Sequence, residues 1–235
     1  MSLSPRFHNF CNTVSARRRQ LLALVASGIV LLAAPSLSHA GAYDDYFHAV
    51  QIDDDATVAE LLARGFDPDT IERDRGDSGL IIAVRENAMK VFAVLLNARN
   101  IDLEQKAANG DTALMLAAFK ANKPAVKALL EKGAAVNRAG WAPLHYAAAA
   151  GDNEIVQMLL DKSAQLDARS PNGTTPIMMA ARGGHILTVK LLLDAGADAT
   201  LKNQQGMTAI DFARQAGDKQ VVEGLTYRLK KAGKL

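Results

Sequence analysis

The feature that most constrains this chain is a short segment that recurs five times at nearly constant spacing. A glycine stands two residues ahead of a similar stretch each time: Gly76 with Ser78-Gly79-Leu80-Ile81, Gly110 with Thr112-Ala113-Leu114-Met115, Gly140 with Ala142-Pro143-Leu144-His145, Gly173 with Thr175-Pro176-Ile177-Met178, and Gly206 with Thr208-Ala209-Ile210-Asp211. The glycines step by 34, 30, 33 and 33 residues. A fixed period of this length means stacked supersecondary units, each burying its apolar face against the next.

Each stretch runs into alanines at helical spacing, Ala117 and Ala118, Ala147 and Ala148, Ala180 and Ala181. Side chains this small let neighbouring helices approach closely. A second apolar helix is predicted after each, over Val91 to Leu96, Val126 to Leu130, Ile155 to Leu160 and Val189 to Leu193, since the apolar residues recur at intervals of three and four. Gly133 and Gly196 are placed to end these helices. Asn109-Gly110 and Asn172-Gly173 accept the positive backbone angles of a tight hairpin turn.

The pattern resembles the ankyrin-repeat family, whose unit is about 33 residues long and carries Thr-Pro-Leu-His-x-Ala. The stretch from Gly173 to Asp198, with His185 and Gly196-Ala197-Asp198, matches that consensus closely, and the resemblance extends from about Tyr43 to Leu229. It implies an all-α solenoid of about six helix-turn-helix units with short β-hairpin fingers, the units spanning about 43–73, 74–107, 108–137, 138–170, 171–203 and 204–235. The end units diverge, as caps facing water must. Asp53, Asp54 and Asp55 lie in the first; they lack the ligand spacing of a calcium loop and read as a helix-start cap. The last places Gly224 where a leucine is expected and ends in Lys230, Lys231 and Lys234.

At the amino end Arg17, Arg18 and Arg19 precede an apolar run from Leu21 to Ala34, then Pro35, Ser38, His39 and Ala40. The run is shorter than the roughly 20 residues a spanning helix needs. Basic, apolar and small-residue regions in that order read as a signal peptide over residues 1 to 40, cleaved after Ala40; the alternative is retention of the segment as a membrane anchor. Arg18-Arg19-Gln20-Leu21-Leu22 resembles a twin-arginine export signal, although a Sec signal also needs basic residues there. The expected location is periplasmic or secreted, with residues 41–235 as the repeat domain, free of the membrane after cleavage. Cys11, the sole cysteine, falls in this segment, so the remaining chain has no thiol for disulfides, zinc or catalysis.

The chain has 27 basic and 25 acidic residues, but Arg6, Arg17, Arg18 and Arg19 all lie in the first forty, where there is no acid. From Gly41 onward 23 basic residues face 25 acidic ones. So weak a negative balance lacks the electrostatic footprint of nucleic-acid binding. No histidine pair has metal-ligand spacing, and neither a glycine-rich phosphate loop nor a Gly-x-Ser-x-Gly turn is present. No enzyme activity, cofactor or metal is expected, an unrecognised groove site being the rival reading. The expected partner is another protein, bound by a monomer acting as adaptor, inhibitor or stabilising partner, or as an envelope tether if the anchor is retained.

The resemblance places partner contacts on the concave side, at fingertips and inner helices. The candidates beside the turn glycines, expected to be exposed, are Asp77, Asp111, Trp141, Thr174 and Met207; on the inner helices they are Arg85, Glu86, Phe119, Lys120, Arg182 and Gln215. Trp141, the only tryptophan, stands out because aromatic and arginine residues dominate binding hot spots; it either reaches outward or folds down to fill space. With Phe119 it would form an apolar platform. Leu130 to Ala142 spans 12 residues where Leu160 to Thr175 and Leu193 to Thr208 each span 15, so the finger between Asn137 and Gly140 is short by three. The shortening either leaves a notch beside Trp141 or reflects the tolerance of surface loops to length change.

Overall fold

Alternating short helices make up most of the described residues, and several of them begin at side chains that satisfy exposed backbone groups. The structure, a computed structural model, describes residues 39–234. All but the last two positions of the export segment read over residues 1 to 40, Cys11 included, lie outside the described residues. The helices are α1 (His39–Gln51), α2 (Asp55–Ala63), α3 (Gly79–Glu86), α4 (Met89–Leu96), α5 (Ala113–Phe119), α6 (Lys123–Glu131), α7 (Pro143–Ala150), α8 (Asn153–Asp161), α9 (Pro176–Arg182), α10 (Ile186–Asp194), α11 (Ala209–Ala216) and α12 (Lys219–Lys231). Among the described residues no helix is long and apolar enough to cross a membrane.

The recurring motif marks the start of each inner helix, because its first residue is an N-cap. Ser78 and Thr112 accept from the amides of Ile81 and Met115. At α7 and α11 the residue three positions on turns back instead: the Ala142 amide donates to His145 Nδ1 at 3.1 Å, and the Thr208 amide to Asp211 Oδ2 at 2.9 Å. Asp54 caps α2 by accepting from the Thr57 amide, whereas its neighbour Asp53 reaches the next unit and accepts from the Lys90 and Val91 amides at the start of α4, both at 3.0 Å. The acidic triplet thus caps two helices in successive units.

Helices α3, α5, α7, α9 and α11 stack into an inner layer, and α2, α4, α6, α8, α10 and α12 into an outer one, each inner helix from α3 onward packing against the outer helix that follows it. Ala117, Ala118, Ala147, Ala148, Ala180 and Ala181 are fully buried between inner helices, which is the close approach that their size permits. Leu95, Leu129, Leu159, Leu192 and Leu225 seal the outer layer. A ladder of bonds joins the loops between units: the amides of Asp102, Ala135, Gln165 and Asp198 donate to the side chains of Asp69, Glu104, Asn137 and Asp167, at 2.7 to 3.0 Å.

The expected β-hairpin fingers are hairpin turns rather than paired strands. Among the described residues the one extended pairing is an antiparallel bridge between Ile71 and Ser78. Elsewhere two backbone bonds close each finger: Ala107 N to Asp111 O, Ser170 N to Thr174 O and Asn203 N to Met207 O at 2.9 to 3.0 Å, and across the turn Gly110 N to Ala107 O, Gly173 N to Ser170 O and Gly206 N to Asn203 O at 2.8 to 3.0 Å. The arms are too short to form a second rung. In the shortened unit no equivalent bond joins Asn137 to Trp141 among the described residues, and the Asn137 side chain instead bridges to Ser163 O and Gln165 N.

Candidate functional site

The fifth residue of the recurring motif, counted from its N-cap, lies on the inner helix and reads Ile82, Leu116, Tyr146, Met179 and Phe212 along the array. Three residues later, one helical turn on, stand Arg85, Phe119, Ala149, Arg182 and Gln215. Ala149 is the one small residue in that second row. Its lack of bulk opens a hollow of about 130 Å³ lined by Phe119, Trp141, His145, Tyr146, Ala149 and Met179.

The walls of this hollow are rings set edge to face. Tyr146 lies between the other two, its ring centroid 6.2 Å from that of Phe119 with the planes at 87°, and 6.2 Å from that of Trp141 at 71°. Both arrangements are the favoured T-shaped geometry. Trp141 also meets the His145 ring at 5.2 Å. Phe119 is 56% exposed, an unusual degree for so large an apolar side chain in this protein, while Trp141 is half-buried.

Tyr146, Asp111 and His145 are held around the hollow by internal bonds. The Tyr146 hydroxyl donates to Asp111 Oδ1, while Asn109 Nδ2 donates to Asp111 Oδ2 at 2.7 Å. Burial, reinforced by the bond to Asp111, pushes the Tyr146 phenol above its ordinary range. His145 is fully buried; its Nδ1 accepts from the Ala142 amide and its Nε2 donates to Thr174 O at 3.0 Å, which selects the neutral ring with the proton on Nε2. Desolvation pulls its pKa below the usual imidazole value. A buried neutral ring bonded at both nitrogens braces the loop beneath Trp141.

The sequence-derived candidates fall into three groups. Asp111, Phe119 and Trp141 meet at the hollow, with Lys120 exposed beside Phe119 and Arg182 exposed one turn beyond Met179. Asp77 and Arg85 lie at the first finger, joined by an ion pair at 2.7 Å, with Glu86 exposed next to them. Met207 and Gln215 lie in the last unit, the Gln215 amide approaching Met207 Sδ at 3.6 Å. Two of the residues expected to be exposed are not. Asp77 is 1% and Thr174 2% exposed, because Asp77 turns inward to Arg85, and Thr174 lies under its own finger with its carbonyl bound by His145 of the preceding unit.

Tyr146, Ala149 and Met179 were absent from the candidates. An apolar residue one position after the buried motif residue reads as core from sequence, and an alanine among alanines carries no signal. The row of second positions was the available clue, since Ala149 breaks a series of long side chains. A wider and more open groove of about 580 Å³ runs over α8 and α10 past Leu160, Leu187 and Leu191, and it contains no ring cluster.

The family described as ankyrin repeats (3 copies) matches this chain over residues 46–139, 80–170 and 144–232. The human transient receptor potential cation channel subfamily A member 1 is 34% identical over 125 residues, 50% of this chain and 11% of that protein. The human SH3 and multiple ankyrin repeat domains protein 1 is 35% identical over 134 residues, 54% of this chain and 6% of that protein. The chain therefore spans only a small part of these relatives' length. The crystal structure of the ankyrin repeat domain of Bcl-3 superposes with a TM-score of 0.66 at 27% identity, covering 77% of this chain and 80% of that one.

Proposed function

This chain belongs to the ankyrin-repeat family, whose arrays are protein-interaction scaffolds, and from that premise we propose that it binds another protein by inserting one of the partner's side chains into the hollow between Phe119, Trp141 and Tyr146. The carrying observation is the hollow itself, three rings around an alanine floor on the inner layer. Aromatic residues held rigid by internal bonds make strong anchoring pockets, because they offer large contact area and lose little freedom on binding. The neutral, doubly bonded His145 and the Tyr146 hydroxyl bound to Asp111 are both committed to structure, and the reading is a binding role without catalysis. The basic, apolar and small-residue order of residues 17 to 40 supports a periplasmic adaptor, inhibitor or stabilising partner.

The test is to capture the partner from native envelope with the wild-type chain and with Trp141→Ala and Ala149→Arg. Trp141→Ala should weaken binding by about 2 kcal/mol or more, as for a hot-spot aromatic. Ala149→Arg fills the hollow with the side chain already tolerated at Arg182, and should abolish capture while circular dichroism and the unfolding midpoint stay unchanged. Full capture by both variants would move the site elsewhere. Amino-terminal sequencing of the exported protein separates cleavage after Ala40 from retention as an anchor.

A further inference from the structure

On the reading of the hollow as the docking site, we propose that the partner segment entering it carries a single apolar side chain flanked by acidic residues. Size supports the apolar part: about 130 Å³ is close to the roughly 150 Å³ of an apolar cavity that holds benzene, enough for one leucine, isoleucine or phenylalanine side chain.

The charges around the hollow supply the rest. Lys120 follows Phe119 on one side, and Arg182 stands one turn beyond Met179 on the other. On the finger side Arg138 crosses to the preceding unit, where its Nη1 donates to Gly110 O at 3.1 Å. None of these three cations has a carboxylate partner among the described residues. By contrast Arg85, in the position corresponding to Arg182 three units earlier, is paired with Asp77. The one acid at the hollow, Asp111, already receives donors on both oxygens from Tyr146 and Asn109. Asp152 and Glu154, which follow Ala149 at the start of α8, are both paired with Lys123. An apolar cup ringed by unpaired cations, in a chain that is slightly acidic from Gly41 onward, complements an acidic segment with one apolar anchor.

Trp141 is the only tryptophan and lines the hollow, so its emission reports occupancy directly. The probes are three short synthetic peptides added to the full chain: one leucine between glutamates, the same leucine between lysines, and an alanine between glutamates. The glutamate-flanked leucine should shift the emission and bind about tenfold more tightly than the lysine-flanked one at low salt, the sum of three modest surface pairs, with that advantage shrinking as salt is raised, and about tenfold more tightly than the alanine peptide, which lacks the buried anchor. Lys120→Glu with Arg182→Glu, both at exposed positions and checked by circular dichroism, should reverse the preference. Equal binding of the two leucine peptides, preference for lysine, or no emission change with any peptide overturns the inference. Loss of partner capture in Trp141→Ala together with charge-indifferent peptide binding would remove this inference alone; undiminished capture by Trp141→Ala and Ala149→Arg would remove the docking reading beneath it.

Discussion

The hydroxyl of Tyr146 donates to the carboxylate of Asp111, fastening the middle of α7 to the fingertip of the unit before it. One bond therefore orients the central ring of the hollow and occupies the carboxylate of Asp111. Tyr146→Phe keeps the ring and removes the bond. It should lower stability in urea unfolding by about 1 kcal/mol, the usual net worth of such a hydrogen bond. An unchanged midpoint would show that the bond does not tie the two units together.

Alkali tests the same contact. Burial raises the phenol pKa of both Tyr146 and Tyr46 in the folded chain, in each case reinforced by nearby aspartates. The unfolded chain then loses these protons first, so stability is complete below about pH 10 and falls as pH rises above it. Tyr146→Phe should show a shallower alkaline loss than the wild type, read as the urea midpoint against pH.

His145 gives the opposite slope. Its folded pKa is depressed by burial, so between that value and the ordinary imidazole value of 6.5 the unfolded chain binds more protons. The stability it contributes is present above 6.5 and is lost as pH falls. Protonation also ends the bond from the Ala142 amide to Nδ1, directly beneath Trp141, so tryptophan emission and the unfolding midpoint should change together between about pH 7 and about pH 5. A midpoint that stays flat over that range would contradict the neutral, doubly bonded ring.

Ala121 sits just past the end of α5 with φ of 54°, at the position that Gly151, Gly184 and Gly217 occupy in later units. An alanine there bears a left-handed penalty of about 1–2 kcal/mol, partly offset by the greater freedom glycine has in the unfolded chain. Ala121→Gly should therefore stabilise the protein by about 0.5–1 kcal/mol, measured by chemical denaturation. Destabilisation would mean that the alanine methyl makes a contact worth more than the strain.

Two leucines on neighbouring outer helices separate burial from composition. Leu159 is fully buried and Leu187 is 66% exposed, although both lie in strongly apolar helical stretches. Leu159→Ala should cost about 2–5 kcal/mol and Leu187→Ala less than about 0.5 kcal/mol. Similar losses at both positions would put Leu187 in a packed interface.

The helices and their stacking order were legible in the sequence because they rest on local rules: an apolar period of three and four, alanines small enough for close contact, and glycines placed to end helices. The repeat carried that information five times over. Trp141 and Phe119 stood out for the same reason, each an aromatic at a position read against its counterparts in the other units. What only the tertiary structure decided depends on neighbours a whole unit away. The Thr174 carbonyl is bound by His145 of the preceding unit and Asp53 caps a helix 37 residues further on, while Asp77 turns inward to Arg85 within its own unit. Beyond the first finger, the backbone bonds end at the pair of residues flanking each turn, so among the described residues the arms do not pair as strands. The hollow arises from Ala149, Tyr146 and Met179, which look like core in isolation. A pocket is defined by the space between side chains on different units, and that space has no counterpart in the order of residues along the chain.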